Sequence, residues 1–311
     1  YGAGGAMTTG VLNTIMGGLA GVALTSGDNN VALGYQALSS DTQGDRNTAI
    51  GVTALAAQNF TTTTDVYNVA VGYAAGASVT TGSTNTLIGS LTGDAITSGN
   101  SNTALGYQAL SADTKGDRNI AIGLQALLAQ NFTTTTDAYN IGIGYHAGHD
   151  ITTGVQNVIV GGLAADALTD ADNNVAIGFN SLGANVLGSR NVAIGTNALD
   201  AMNPATATNM YNVGIGYSAG TVVTTGTQNT FVGGLASDAQ TSADGCVSVG
   251  YAALTDNQTG DDCVAIGRFA LANATGGGNV GLGSNSGDTI TSGTGNTCIG
   301  HLSDTSAAGA V

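Results

Sequence analysis

The chain has no tryptophan, one proline, three cysteines and only five lysines and arginines among its 311 residues. Each shortage closes off a class of function. Nucleic-acid binding needs cations set against phosphates, and a formal net charge of −15 points the other way. The same acidity argues against anionic membrane surfaces and reads most simply as mutual repulsion that keeps particles soluble. No apolar run of about eighteen residues occurs, so no membrane insertion is expected. No heptads occur, so no coiled-coil stalk is expected either. The chain opens on Tyr1 with no charged-then-apolar leader, which reads as a processed form or a segment.

What is plentiful is glycine, 50 residues, alongside 42% hydrophobic residues. A polar, glycine-rich chain can be disordered. Here the apolar residues fall at regular places, which predicts order. The unit is Asn-[Val/Thr/Ile]-x-[Ile/Leu/Val]-Gly. It starts at Asn13, Asn30, Asn47, Asn68, Asn85, Asn102, Asn119, Asn140, Asn157, Asn174, Asn191, Asn212 and Asn229, passes through Cys246 and Cys263, and ends with Asn279 and Asn296. Gly follows four residues later in all seventeen, from Gly17 to Gly300. The spacing is 17 residues, lengthened to 21 after Asn47, Asn119 and Asn191 and shortened to 16 after Cys263. Four turns therefore make a 72-residue block, with blocks starting at Asn30, Asn102 and Asn174 and a shortened one at Cys246.

Such self-similarity predicts a solenoid. In the strand that follows each Asn, the first and third residues are aliphatic or Thr and the second is mostly Ala. That alternation predicts a strand buried on one face, with the aliphatic pair inward and the small residues outward. A second strand is expected around Val79–Gly82 and Ile96–Gly99. The fold class expected is all-β: a single-stranded parallel β-solenoid of about 17 turns of 17 residues over residues 13–302. A lead-in covers 1–12 and a tail 303–311. The stacked Asn side chains are expected to hydrogen-bond as a ladder and to accept the left-handed backbone that bends require. The Gly row marks a bend or a close backbone approach.

The turn NVAIGTNAL at residues 191–199, with its relatives, resembles the head repeats of YadA-like trimeric autotransporter adhesins. It is also similar to the NTAIGYQAL-type repeats of bacteriophage tail fibres. The resemblance implies a left-handed β-roll, three chains side by side and a role in attachment, outside the cell or on a virion surface. A side-by-side homotrimer has separate support in the small residues Ala32, Ala49, Ala70, Ala104, Ala121 and Gly142, which would pack closely against another chain. Larger residues replace them every fourth turn, at Ile15, Leu87, Ile159 and Phe231. Partial cover by the adjacent strand is the alternative.

Receptor contact is expected in the three lengthened loops, residues 57–67, 129–139 and 201–211. Phe60, Phe132, Tyr67, Tyr139 and Tyr211 offer faces for sugars, and Thr62 and Thr134 offer hydroxyls. The alternative is that the aromatics tuck back onto the coil. Arg46, Arg118 and Arg190 form a row read as salt bridges rather than an anion site. Asp41, Asp45, Asp113, Asp117, Asp261 and Asp262 could gather Ca²⁺, but no established calcium spacing is present. No other cofactor is expected. His146, His149 and Asp150 fall short of a metal site and read as a surface turn. Cys246 and Cys263 occupy the same place on adjacent turns, compatible with a disulfide or with two small buried residues; Cys298 stands alone. No catalytic triad, paired-acid cleft or phosphate loop is present, so a non-enzymatic protein is expected. The competing expectation is a purely structural subunit that stacks end to end into an extracellular filament.

Overall fold

The computed structural model describes residues 2–304. Tyr1 and the part of the expected tail at 305–311 lie outside the described residues. Strands and turns make up the whole of the rest, and the fold is a parallel β-solenoid. Seventeen three-residue strands, one per turn, begin one residue after each ladder position. The chain divides into two compact units, one ending at Gln156 and one beginning at Asn157. Eight of these strands belong to the first unit and nine to the second.

Within each unit, successive strands pair in parallel without slippage. Thr103 lies opposite Ile120, Ala104 opposite Ala121 and Leu105 opposite Ile122. In the second unit Val175, Ala176 and Ile177 face Val192, Ala193 and Ile194. Residues of the lead-in stack on the first turn as well, with Gly4 N–H donating to Ala20 O at 2.9 Å and Thr8 N–H to Thr25 O at 2.9 Å.

The strand faces are the reverse of the sequence expectation. The small second residue is inside: Ala32, Ala49, Ala70, Ala104 and Ala121 are fully buried, as are the larger Leu87, Ile159 and Phe231. The aliphatic first and third residues face outward and are half-buried in most turns. Alternation with a period of two fixes that the faces differ, not which one is inside. Interior volume decides it. Seven turns carry Ala in the strand and a buried Leu eight residues after the ladder position, as at Leu55, Leu110 and Leu127. Where the strand residue is large, that Leu gives way to a smaller residue. A Cβ added at Gly93 would sit 2.9 Å from Leu87, and one at Gly220, in the turn before Phe231, only 2.6 Å from the Phe231 ring. Close packing makes the two positions trade volume.

The second strand also lies elsewhere than expected. Residues 79–82 form a corner, in which the N–H groups of Thr80, Thr81 and Gly82 all converge on Thr97 O at 2.8, 3.2 and 3.2 Å. An extended ladder would give each N–H its own carbonyl. Short second strands occur instead beside the long loops: Gly44–Asp45 with Thr64–Asp65, Gly116–Asp117 with Thr136–Asp137, and Gly188–Ser189 with Thr208–Asn209.

Besides the Gly row, left-handed backbone recurs at three places in nearly every turn, and none of them is the ladder Asn. In one turn these are Arg118 (φ 62°), Gln125 (φ 54°) and Leu127 (φ 50°). Each such residue costs about 1–2 kcal/mol in isolation. The cost is offset by bonds that only this geometry permits. Arg118 N–H donates to Asn100 O, Gln125 N–H to Tyr107 O and Leu127 N–H to Ala147 O, at 3.0, 3.0 and 3.1 Å. Every one of the three reaches a neighbouring turn.

Candidate functional site

The ladder asparagines are buried scaffold. Asn47 N–H donates to Asn30 Oδ1 at 2.9 Å, and Asn68 N–H to Asn47 Oδ1 at 3.2 Å. In the second unit Asn191 N–H reaches Asn174 Oδ1 at 3.0 Å. The expected side-chain ladder is present at some rungs, as from Asn47 Nδ2 to Asn30 Oδ1 at 3.1 Å, and backbone N–H groups donate to the same oxygens. Several Nδ2 groups instead close the turn onto the carbonyl fourteen residues ahead, as Asn30 does to Gly44 O at 2.9 Å and Asn85 to Gly99 O at 2.8 Å. An amide serves here because it donates and accepts at once.

The long loops are pinned at their roots. Asp41, fully buried, accepts from Gly44 N–H at 3.1 Å, Phe60 N–H at 3.0 Å and Gln58 Nε2 at 2.7 Å. Asp113 repeats this with Gly116, Phe132 and Gln130 at 3.0, 3.3 and 2.7 Å. Burial pushes both carboxyls above the ordinary aspartate range, against the pull of these donors. Asp45 and Asp117 accept from the backbone N–H of Asp28 and Asn100, each at 2.7 Å. Asp261 accepts from Asp244 N–H at 2.9 Å, so five of the six acids considered for calcium hold turns and loops. Among the described residues no three His, Cys, Asp or Glu side chains converge to hold a metal.

The loop aromatics divide. Phe132 is withdrawn onto the coil at 6% exposure and Phe60 is half-buried. Tyr67, Tyr139 and Tyr211 stay outside at 50, 47 and 47%. Each tyrosine ring lies under an arginine of the neighbouring turn, with Arg46, Arg118 and Arg190 at 5.6, 5.5 and 5.6 Å from the ring centres. Arg46 and Arg118 also pair with Asp65 and Asp137 of the loops, and Arg190 donates to Tyr211 Oη at 2.7 Å. The arginine row is thus a set of clips that present tyrosines, with exposed Thr62 and Thr134 nearby in the chain.

His146 stacks on Tyr145 at 4.0 Å, and His149 Nδ1 meets Asp150 Oδ1 at 2.6 Å, on an exposed turn. Cys246 and Cys263 are buried free thiols, and Cys298 is buried as well.

Two surface features were not anticipated from the sequence. One is the outward aliphatic stripe, with Leu105 and Ile266 exposed by 44 and 42% and their neighbours half-buried. The other is a row of exposed aromatics five residues after the ladder position in alternate turns. It comprises Tyr35, Tyr73, Tyr107 and Tyr145 in the first unit, and Phe179, Tyr217 and Tyr251 in the second. Their spacing in the sequence is the signal that could have found them. Among the described residues no helix is long and apolar enough to cross a membrane. Comparison of the chain with models of known families finds no match, and comparison with curated proteins finds none either.

Proposed function

We propose that the chain is a segment of a non-enzymatic fibrous attachment protein of the trimeric tail-fibre or surface-adhesin kind, working outside the cell or on a virion. The observation that carries this is the outward stripe. In each unit, stacked Val, Ile and Leu side chains stand half in water along a regular β-face, such as Ile120, Ile122, Ile141 and Ile143 in the first. Contiguous apolar surface of this kind marks an interface. A face that repeats along a coil is matched best by the same face on another copy, and closed symmetry limits how many copies gather. Three chains side by side cover the stripe while the loops, with Tyr67, Tyr139 and Tyr211, remain available to a surface glycan or protein.

The test is mass in solution. Sedimentation and native mass spectrometry should find three copies, and Ile122→Asp with Ile143→Asp should yield a monomer with unchanged β circular dichroism. A monomeric parent chain would remove the trimeric reading. Binding on a glycan array should disappear when the three loop tyrosines become Ala. Filament growth with no glycan binding would favour a purely structural subunit that stacks end to end.

A further inference from the structure

Fifteen of the seventeen ladder positions hold Asn, and two successive ones hold Cys246 and Cys263. The strands that follow them pair in register, Val247 opposite Val264. The two cysteine Cα atoms therefore stand one strand spacing apart, about 4.8 Å, within the span of a disulfide. Both side chains are fully buried and carry free thiols.

Each sulfur does the work of the amide it replaces. Cys246 N–H donates to Asn229 Oδ1 at 2.8 Å, keeping the rung below. Cys246 S–H donates to Gly260 O at 3.3 Å, and Cys263 S–H to Gly276 O at 3.4 Å. At both places the carbonyl has a second donor. Asn257 Nδ2 reaches Gly260 O at 2.7 Å, and Asn279 Nδ2 reaches Gly276 O at 2.8 Å. The thiol hydrogens can thus leave without stranding a buried carbonyl, the usual cost of removing a buried donor.

We propose that Cys246 and Cys263 are a redox pair, which a small disulfide such as oxidised glutathione converts into a bond stapling two successive turns of the second unit. The two sulfurs are unequal. The Cys246 S–H beside it, with the N–H groups of Asn279 and Gly278, brings the Cys263 thiol down to about 7 despite burial. Cys263 in turn, with burial, pushes Cys246 up. Cys263 is then the attacking thiolate and Cys246 the resolving thiol. The Cys263 thiolate attacks one sulfur of the small disulfide, forming a mixed disulfide and expelling one thiolate. Cys246 passes its proton to that thiolate and attacks the Cys263 sulfur, expelling the second. The protein thiols lose two electrons and two protons, and one small disulfide becomes two small thiols.

Because the pair is buried, the test refolds the full chain carrying Cys298→Ser from urea in a glutathione redox buffer. Peptide mapping should recover a Cys246–Cys263 disulfide in protein with native β circular dichroism. The oxidised form should melt several degrees above the reduced form. Its ratio of oxidised to reduced protein should exceed that of the urea-unfolded chain at the same potential by about tenfold. Cys246→Ser with Cys263→Ser should lose the redox-dependent shift in melting. Two thiols still open to maleimide after refolding would overturn the proposal, as would an oxidised form that melts below the reduced one. Should Cys298→Ser fail to refold, the unsubstituted chain serves, and Cys298 found joined to either partner would overturn it equally.

Discussion

Gln130 donates a hydrogen bond at 2.7 Å to the buried carboxylate of Asp113, which lies seventeen residues earlier and one turn away. Gln58 and Asp41 make the same bond at 2.7 Å in the preceding block. In the third block both partners change together: Asn185 stands for the acid and Met202 for the glutamine, and both are fully buried. Asn185 there closes on its own turn, accepting from Gly188 N–H at 2.8 Å and donating to Gly188 O at 2.8 Å. The chain thus holds two versions of one loop root, one ionic and one neutral. Gln130→Met alone would strip the Asp113 carboxylate of a donor and should cost about 1.5–3 kcal/mol. Asp113→Asn alone would set two amide donors face to face. Asp113→Asn with Gln130→Met rebuilds the neutral version and should recover most of either loss. Urea denaturation of the three variants checks this, and simple additivity of the two single losses would refute the pairing.

The same carboxylates set a pH dependence. Burial raises Asp41 and Asp113 in the folded chain above the ordinary value of 3.8. The folded state therefore binds protons more tightly than the unfolded one. Their contribution favours folding below pH 3.8 and is lost as pH rises through the higher folded value, after which it is flat. The contribution of these two groups is isolated by comparison with a variant. Asp41→Asn with Gln58→Met and Asp113→Asn with Gln130→Met, made together, should gain stability relative to the parent as pH rises from acid toward neutrality. A difference that stays constant with pH would contradict the assignment of charge to these two groups.

How much of this was legible follows from what a one-dimensional pattern can carry. The period, the parallel register and the role of Gly106 or Gly123 are written in spacing, because every turn must place the same atom over its neighbour. The inward face was not, since Ala104 and Leu105 alternate whichever of them is buried. It is settled only by how much volume the coil encloses, a property of the closed turn. The corner at Thr80 and Thr81 was hidden for a similar reason: β-branched residues favour strands locally, yet here their N–H groups share the Thr97 carbonyl. The loops were visible as four extra residues. That Phe132 turns inward while Tyr139 stays out under Arg118 depends on a contact between turns, which loop composition does not encode.

The glycine four residues after each ladder position separates two effects that are often merged. Gly106 has φ +138°, and a Cβ there would lie 2.7 Å from the carbonyl carbon of Gly123 in the next turn. Gly295 has φ +68°, with nothing within 4 Å of an added Cβ. The first site combines a backbone region that only glycine enters readily with a collision against backbone, which cannot swing aside as a side chain can. The second carries conformational strain alone. Gly295→Ala should therefore cost about 1–2 kcal/mol, the ordinary price of a left-handed L-residue. Gly106→Ala should cost more than about 3 kcal/mol or prevent folding, because two turns must part to admit the methyl group. Urea unfolding followed by circular dichroism measures both. Equal losses at the two sites would mean that the turns are not held at the separation described, and that the Gly row reflects backbone preference alone.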